Sequence, residues 1–249
     1  MDQELRNAHT IQETLLPSEL PDLPGYRIET HYQPAREVGG DFFDYAVGND
    51  VLHLGIGDVM GKGAGAALIG AGVRAAFRGT HAAGTAGVDL GVTGTQVARA
   101  LLPDLERAES FVTYFEAAID TEDGYLRYLD AGMGLCLVLR ADGSTERLAG
   151  PDRPFGVLPE DHWSEQESQL DPGDRLLMFS DGLLDLVDDE VQWDAAVADL
   201  LRDAATSTDV LSAVAPLARD RTPLDDRTGG TVLRQAESAR PPDSGRAAS

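Results

Sequence analysis

Residues 48–79 read GNDVLHLGIGDVMGKGAGAALIGAGVRAAFRG, and the order of signals within them decides the fold. Gly48-Asn49-Asp50 is a turn. Val51 to Ile56 is an apolar run, closed by Gly57-Asp58. Ala64 to Gly79 is rich in alanine, with Leu68, Ile69, Val73 and Phe77 near helical spacing, which predicts a buried helix whose small residues let it lie close to a sheet. A strand thus ends at an acidic residue flanked by glycines, and a helix follows.

Outward from this unit the chain alternates between blocks of strands and single helices. Upstream, Arg27 to Tyr32 alternates as a strand. Downstream, residues 81–97 are rich in glycine and threonine and read as a loop leading into a helix over 95–107. Two hairpins follow, 111–120 with 125–130 and 135–140 with 144–148, joined by glycine-containing turns. Asp171-Pro-Gly-Asp174 opens the apolar strand 175–180. Helices are predicted over 194–204 and 210–219, and a last strand over 230–234. Antiparallel blocks with helices between them predict an α+β fold and not a regular βαβ alternation.

The ends have a different character. Leu5, Ala8, Ile11 and Leu15 give residues 2–16 one helical stripe, and Pro17, Pro21, Pro24 and Gly25 follow as an extended connector. We therefore divide the chain into a linker helix and connector at 1–25, one domain at 26–234 and a tail at 235–249 with the composition of disorder. An isolated helix as short as 2–16 is marginal in water, so it is expected to dock on its own domain or to serve as a seam between copies.

The chain has 249 residues, with 43 acidic against 20 basic side chains and a net charge of −23. So acidic a chain repels phosphate backbones and anionic membranes, which argues against nucleic-acid and membrane partners. The lone cysteine, Cys136, supports neither a disulfide framework nor a thiolate zinc site, and a cytoplasmic location is expected. No apolar stretch approaches the ~20 residues that span a bilayer, and the polar, acidic start MDQELRNAHT does not read as a secretion signal.

Four carboxylates stand where a strand meets a tight turn: Asp41 in GGDFFD, Asp58 in GIGDV, Asp181 in FSDG and Asp225 in LDDRT. Carboxylates are hard oxygen donors suited to Mg2+ or Mn2+, and strand ends can bring residues distant in sequence to one sheet edge. Asp-Gly pairs at 123–124 and 142–143 need no such role, because Asp beside Gly forms ordinary hairpin turns. Gly57 to Gly63 lacks the Lys-Ser/Thr ending of a phosphate-binding loop. The histidines, His9, His31, His53, His81 and His162, are scattered without zinc spacing and are expected to be packing or surface residues.

Five motifs stand in order: AHTIQETLLP (8–17), YQPAREVGGDFFD (32–44), GDVMGKG (57–63), PGDRLLMFSDGL (172–183) and DDRT (225–228). Together they resemble the SpoIIE-like branch of the PPM (type 2C) metal-dependent serine/threonine phosphatases, over residues 8 to 234. The resemblance implies an αββα sandwich of two antiparallel sheets flanked by helices, with two Mn2+ or Mg2+ ions at one sheet edge. It implies that Asp58 bridges both ions, that the Val59 carbonyl adds an oxygen to one of them, that Asp181 and Asp225 hold the other ion, and that Asp41 binds metal-bound water or completes a ligand shell. Asp41 and Asp58 would then be catalytic, with water as the nucleophile and no phosphoenzyme. Arg36, five positions before Asp41, is a candidate grip on substrate phosphate, equally readable as a surface arginine. Lys62 follows the metal-binding turn.

The sequence departs from the family pattern at Ala131-Gly-Met133, where relatives carry Ala-Gly-His, and at Leu184 to Asp188. The implied substrate is a phosphorylated STAS-type anti-sigma-factor antagonist, with a regulatory protein or a second copy acting through the N-terminal helix. The alternatives are a scaffold of the same fold that binds phosphoproteins without turnover and a two-metal nuclease, the latter disfavoured by charge.

Overall fold

The turn at 48–50 does what its sequence predicts. Asn49 and Asp50 both adopt positive φ, 44° and 61°, and this tight connection joins β2 (Phe42–Gly48) to β3 (Val51–Val59) in antiparallel register. In the computed structural model, residues 3–186, 193–202 and 225–236 are described. The helix predicted over 210–219 and the tail from 237 lie outside them.

Among the described residues, ten strands form two five-stranded antiparallel sheets. One has the order β2, β3, β4 (Val112–Asp120), β5 (Tyr125–Ala131), β8 (Gln166–Gln169). The other has the order β1 (Tyr26–Gln33), β10 (Arg227–Arg234), β9 (Arg175–Phe179), β6 (Cys136–Leu139), β7 (Thr145–Leu148). The period of two sends Leu52, Leu54 and Ile56 of β3 between the sheets, where they meet Phe115, Ile119, Val138, Leu176 and Val232. The other face of the β3 sheet is covered by α2 (Ala64–Arg78), α3 (His81–Thr85) and α4 (Leu90–Ala108), through Phe42, Val73, Phe77, Leu90, Val97 and Tyr114. On the second sheet, Trp193 and Val197 of α5 (Trp193–Arg202) close a smaller cluster with Leu137, Leu177 and Phe179. The result is helix, sheet, sheet, helix.

Several details depart from the sequence reading. The segment 81–97 is not a loop: α3 occupies its start, and α4 begins five residues before the expected Thr95. Asp89 caps α4 by accepting from the Val92 N–H at 2.9 Å. Gly91 and Gly94, which read as loop residues, instead let α4 press on the Trp163 backbone and the Leu129 side chain. Strand β8 carries the polar sequence QESQ and no apolar signal. In α2, Leu68 is 75 % exposed, and burial falls on Ala66, Gly70, Val73 and Phe77.

The helix α1 (Gln3–Leu15) exists as predicted, but its stripe does not face inward as a unit. Ile11 is 60 % and Leu15 42 % exposed, whereas Gln12 is buried and Leu16, just past the helix, anchors its end. No helix among the described residues is long and apolar enough to cross a membrane.

Candidate metal centre

The strand β3 carries Asp58 to the edge of the inter-sheet face and ends at the fully buried Val59. Next to it runs the loop 34–41 between β1 and β2. A Cβ placed on Gly40 would stand 2.7 Å from the Val59 carbonyl oxygen and 3.3 Å from Asp58 Oδ1, so only glycine lets the loop approach this closely. Asp41 follows at once, 1 % exposed.

From the opposite sheet, β9 is followed at once by Ser180 and Asp181, and β10 begins after Asp225-Asp226. Ser180 ties these pieces together. Its hydroxyl donates to Asp41 Oδ2 at 2.6 Å and accepts from the Thr228 N–H at 3.0 Å. Asp226 turns inward: Oδ1 accepts from the Ala35 N–H at 2.7 Å and Oδ2 from the Gly40 N–H at 2.6 Å. Asp226 therefore holds the loop that carries Asp41. Asp225 faces the other way, 41 % exposed at its side chain, with Lys62 Nζ 2.9 Å from its Oδ2. Sequence reasoning missed the roles of Ser180 and Asp226; the doubled aspartate at 225–226 was the available signal, since neighbours on a strand face opposite ways.

Burial and mutual repulsion disfavour the charged forms of these carboxylates. Burial pushes the Asp58 carboxyl up to about 7, and the negative charges of Asp181 and Asp225 push in the same direction. Asp41 is raised well above the usual carboxylate range by burial and then by Asp58. Carboxylates that mutually disfavour ionisation suit a divalent ion, which would reverse the sign of the local field. Arg36 lies exposed on the same loop 34–41, beside a surface depression of about 500 Å3 that it lines with Arg6, His9, Ala35 and Glu37.

A second grouping was not expected. The histidines read as scattered include His53 and His81, which the fold brings together with Glu116, all three buried.

The model of the family described as Stage II sporulation protein E (SpoIIE) matches residues 48–232. The chain belongs to the SpoIIE family. This is the PPM branch anticipated from the motifs. Among curated relatives, Protein IcfG of Synechocystis is 30 % identical over 73 % of this chain and 32 % of its own length. Phosphoserine phosphatase RsbU of Bacillus subtilis is 24 % identical over 72 % of this chain and 53 % of its own. The chain thus spans about a third to a half of these relatives. The SiaA-PP2C domain of Pseudomonas aeruginosa superposes with a TM-score of 0.72 at 25 % identity, covering 93 % of this chain and 95 % of that one. The catalytic domain of the serine threonine protein phosphatase PstP, solved with two manganese ions, shares the fold at a TM-score of 0.62 and 18 % identity, covering 84 % of this chain and 97 % of that one.

Proposed function

We propose that this domain is a Mn2+- or Mg2+-dependent protein phosphatase that hydrolyses phosphoserine and phosphothreonine. The observation that carries the reading is the approach of Asp41, Asp58, Asp181 and Asp225 at one end of the two sheets, where burial and mutual negative charge raise the carboxyls of the first two. An all-oxygen donor set of this kind fits hard divalent ions. In this reading Asp58, the Val59 carbonyl, Asp181, Asp225 and Asp41 are the groups that would hold the metal. Bound there, two ions lower the pKa of an attacking water, orient it and neutralise charge on the phosphoryl group.

The protein's own part is positioning. Ser180 fixes the Asp41 carboxylate, and Asp226 fixes the backbone around it, so the donors are held before any ion arrives. Arg36, on the same loop, is assigned the grip on the substrate phosphate. Cys136 is fully buried and its thiol is pushed up by burial, which disfavours a cysteine nucleophile.

The substrate we favour is a phosphorylated STAS-type antagonist, as the family resemblance implies, and the compartment we favour is the cytoplasm. Ile11 and Leu15, exposed on α1, supply a face for a regulatory protein or a second copy.

Hydrolysis of a phosphoserine peptide with Mn2+, with EDTA and with Asp58→Asn tests this directly. Loss of turnover in the latter two is expected. Equal rates after chelation, or in the variant, would remove the proposal.

A further inference from the structure

His53 sits on the helix-facing side of β3, five residues before Asp58, which at strand rise is about 16 Å along the chain. The two side chains have opposite parity, so they leave β3 on opposite faces. Glu116 of β4 lies opposite Gly55, and His53 opposite Ala118, which places His53 and Glu116 on one face in diagonal register. Gly55 adds no side chain, and the Tyr114 phenol fills its space, donating to Glu116 Oε2 at 3.4 Å. His81, at the start of α3, closes the group from above, its ring stacked on His53 with centroids 4.8 Å apart.

Close approach within this group does not amount to a hydrogen bond for His53 Nδ1. His53 Nδ1 stands 3.4 Å from Glu116 Oε1 and has no hydrogen-bond partner, although His53 is 1 % exposed. His81 Nε2 is 3.7 Å from the same oxygen. On its far side, His53 Nε2 meets Thr85 Oγ1 at 3.0 Å. If that nitrogen carries the ring proton and donates it to the hydroxyl, Nδ1 points an electron pair at a carboxylate. Three candidate donor atoms, one from each side chain, then lie within 4.8 Å of one another. Tetrahedral coordination at about 2.0–2.1 Å requires donors roughly 3.4 Å apart; the two nitrogen–oxygen separations, 3.4 and 3.7 Å, are close to that, and the whole set, within 4.8 Å, would draw in slightly around an ion.

The geometry points to a second metal site, His53-His81-Glu116, that takes a zinc-class divalent ion through two imidazole nitrogens and one carboxylate oxygen. Mixed nitrogen and oxygen donors favour Zn2+ over the hard ions suited to the aspartate edge. The Thr85 hydroxyl and the Tyr114 phenol act as the outer partners that orient a ligating imidazole and carboxylate. Burial lowers the pKa of His81, which favours the neutral form a metal takes. An ion there would fasten the five-residue α3 to β3 and β4. The inference does not depend on the phosphatase reading.

The test uses the full chain carrying Asp58→Asn, in excess Mg2+ so that all-oxygen donors are occupied, titrated with Co2+ and then Zn2+. One equivalent of Co2+ should give a visible absorption band that Zn2+ abolishes, and Zn2+ should raise the thermal midpoint by about 5 °C. Adding His81→Gln or Glu116→Gln should weaken Zn2+ binding by at least about tenfold. Retention of Zn2+ unchanged in both variants, or no Co2+ band in the parent, overturns the site. Where a variant does not fold, X-ray absorption of the Zn2+-loaded parent decides: two imidazole scatterers support the assignment and an all-oxygen shell refutes it.

Discussion

Gln12 and Gly39 are joined amide to amide. Gln12 Nε2 donates to the Gly39 carbonyl at 2.8 Å, and Gln12 Oε1 accepts from the Gly39 N–H at 3.1 Å. His9 Nδ1 lies 2.6 Å from the Glu37 carbonyl one turn earlier. The N-terminal helix therefore grips the backbone of the loop that carries Asp41, two residues past Gly39. Gln12→Leu would leave both buried Gly39 groups unpaired, at a cost of about 1–3 kcal/mol each. We expect the Mn2+ concentration for half-maximal phosphatase activity to rise by about tenfold, with maximal activity reduced. A Mn2+ titration of the rate checks this; an unchanged midpoint would separate α1 from the site.

The stretch 48–79 was legible because its turn, apolar run and helix each obey a local rule, and the register of β3 follows from its alternation. The four aspartates stood out because each lies at or beside a strand end. What escaped depends on three-dimensional packing. Gln12 was invisible because a polar residue beside an apolar stripe reads as solvent-facing, whereas here the partner is a backbone amide. His53 and His81 looked unrelated because 28 positions separate them, and a short helix that the glycine-rich composition concealed brings them together. The polar strand β8 owes its place to pairing with β5, from Tyr125↔Gln169 to Tyr128↔Gln166, and not to hydrophobic burial.

Asp225 and Asp226 should separate cleanly by mutation. Asp226 is buried and accepts backbone N–H groups of Ala35 and Gly40, so Asp226→Asn removes acceptor capacity from a closed site. It should lower stability by about 1–3 kcal/mol, seen as a drop of several degrees in the melting temperature. Asp225 accepts the N–H of its neighbour Asp226 at 3.0 Å and pairs with the part-exposed Lys62, an ion pair worth about 0–1 kcal/mol. Asp225→Asn should leave the melting temperature of the metal-free protein nearly unchanged and weaken Mn2+ binding in calorimetry. The opposite pattern would mean that the two roles are reversed.

Gly40→Ala adds a single carbon against the Val59 carbonyl at 2.7 Å, and a backbone oxygen cannot swing aside as a side chain does. The loop must retreat from the end of β3 and take Asp41 with it. Activity should fall by about a hundredfold, because displacing a reacting group by about an ångström has that order of effect. Steady-state kinetics at saturating Mn2+ measures this, with circular dichroism to show that the fold persists.

The pH dependence of the metal-free protein follows from Asp58. Its folded carboxyl titrates near 7 against an ordinary value of 3.8, so between those limits the folded state holds a proton that the unfolded chain has lost. Stability from this group is fully present below about pH 4 and falls as pH rises through 7, because the folded state binds more protons. Asp41, raised in the same direction, adds to the trend. Melting temperatures in EDTA should therefore decline by several degrees between pH 5 and 8, and Asp58→Asn should flatten that decline. Saturating Mn2+ should reverse its sign, since an ion competes with those protons and binds more tightly as they leave. A metal-free melting temperature that stays level across this range, in the parent protein, would show that the aspartates do not repel one another as their burial and mutual charge require.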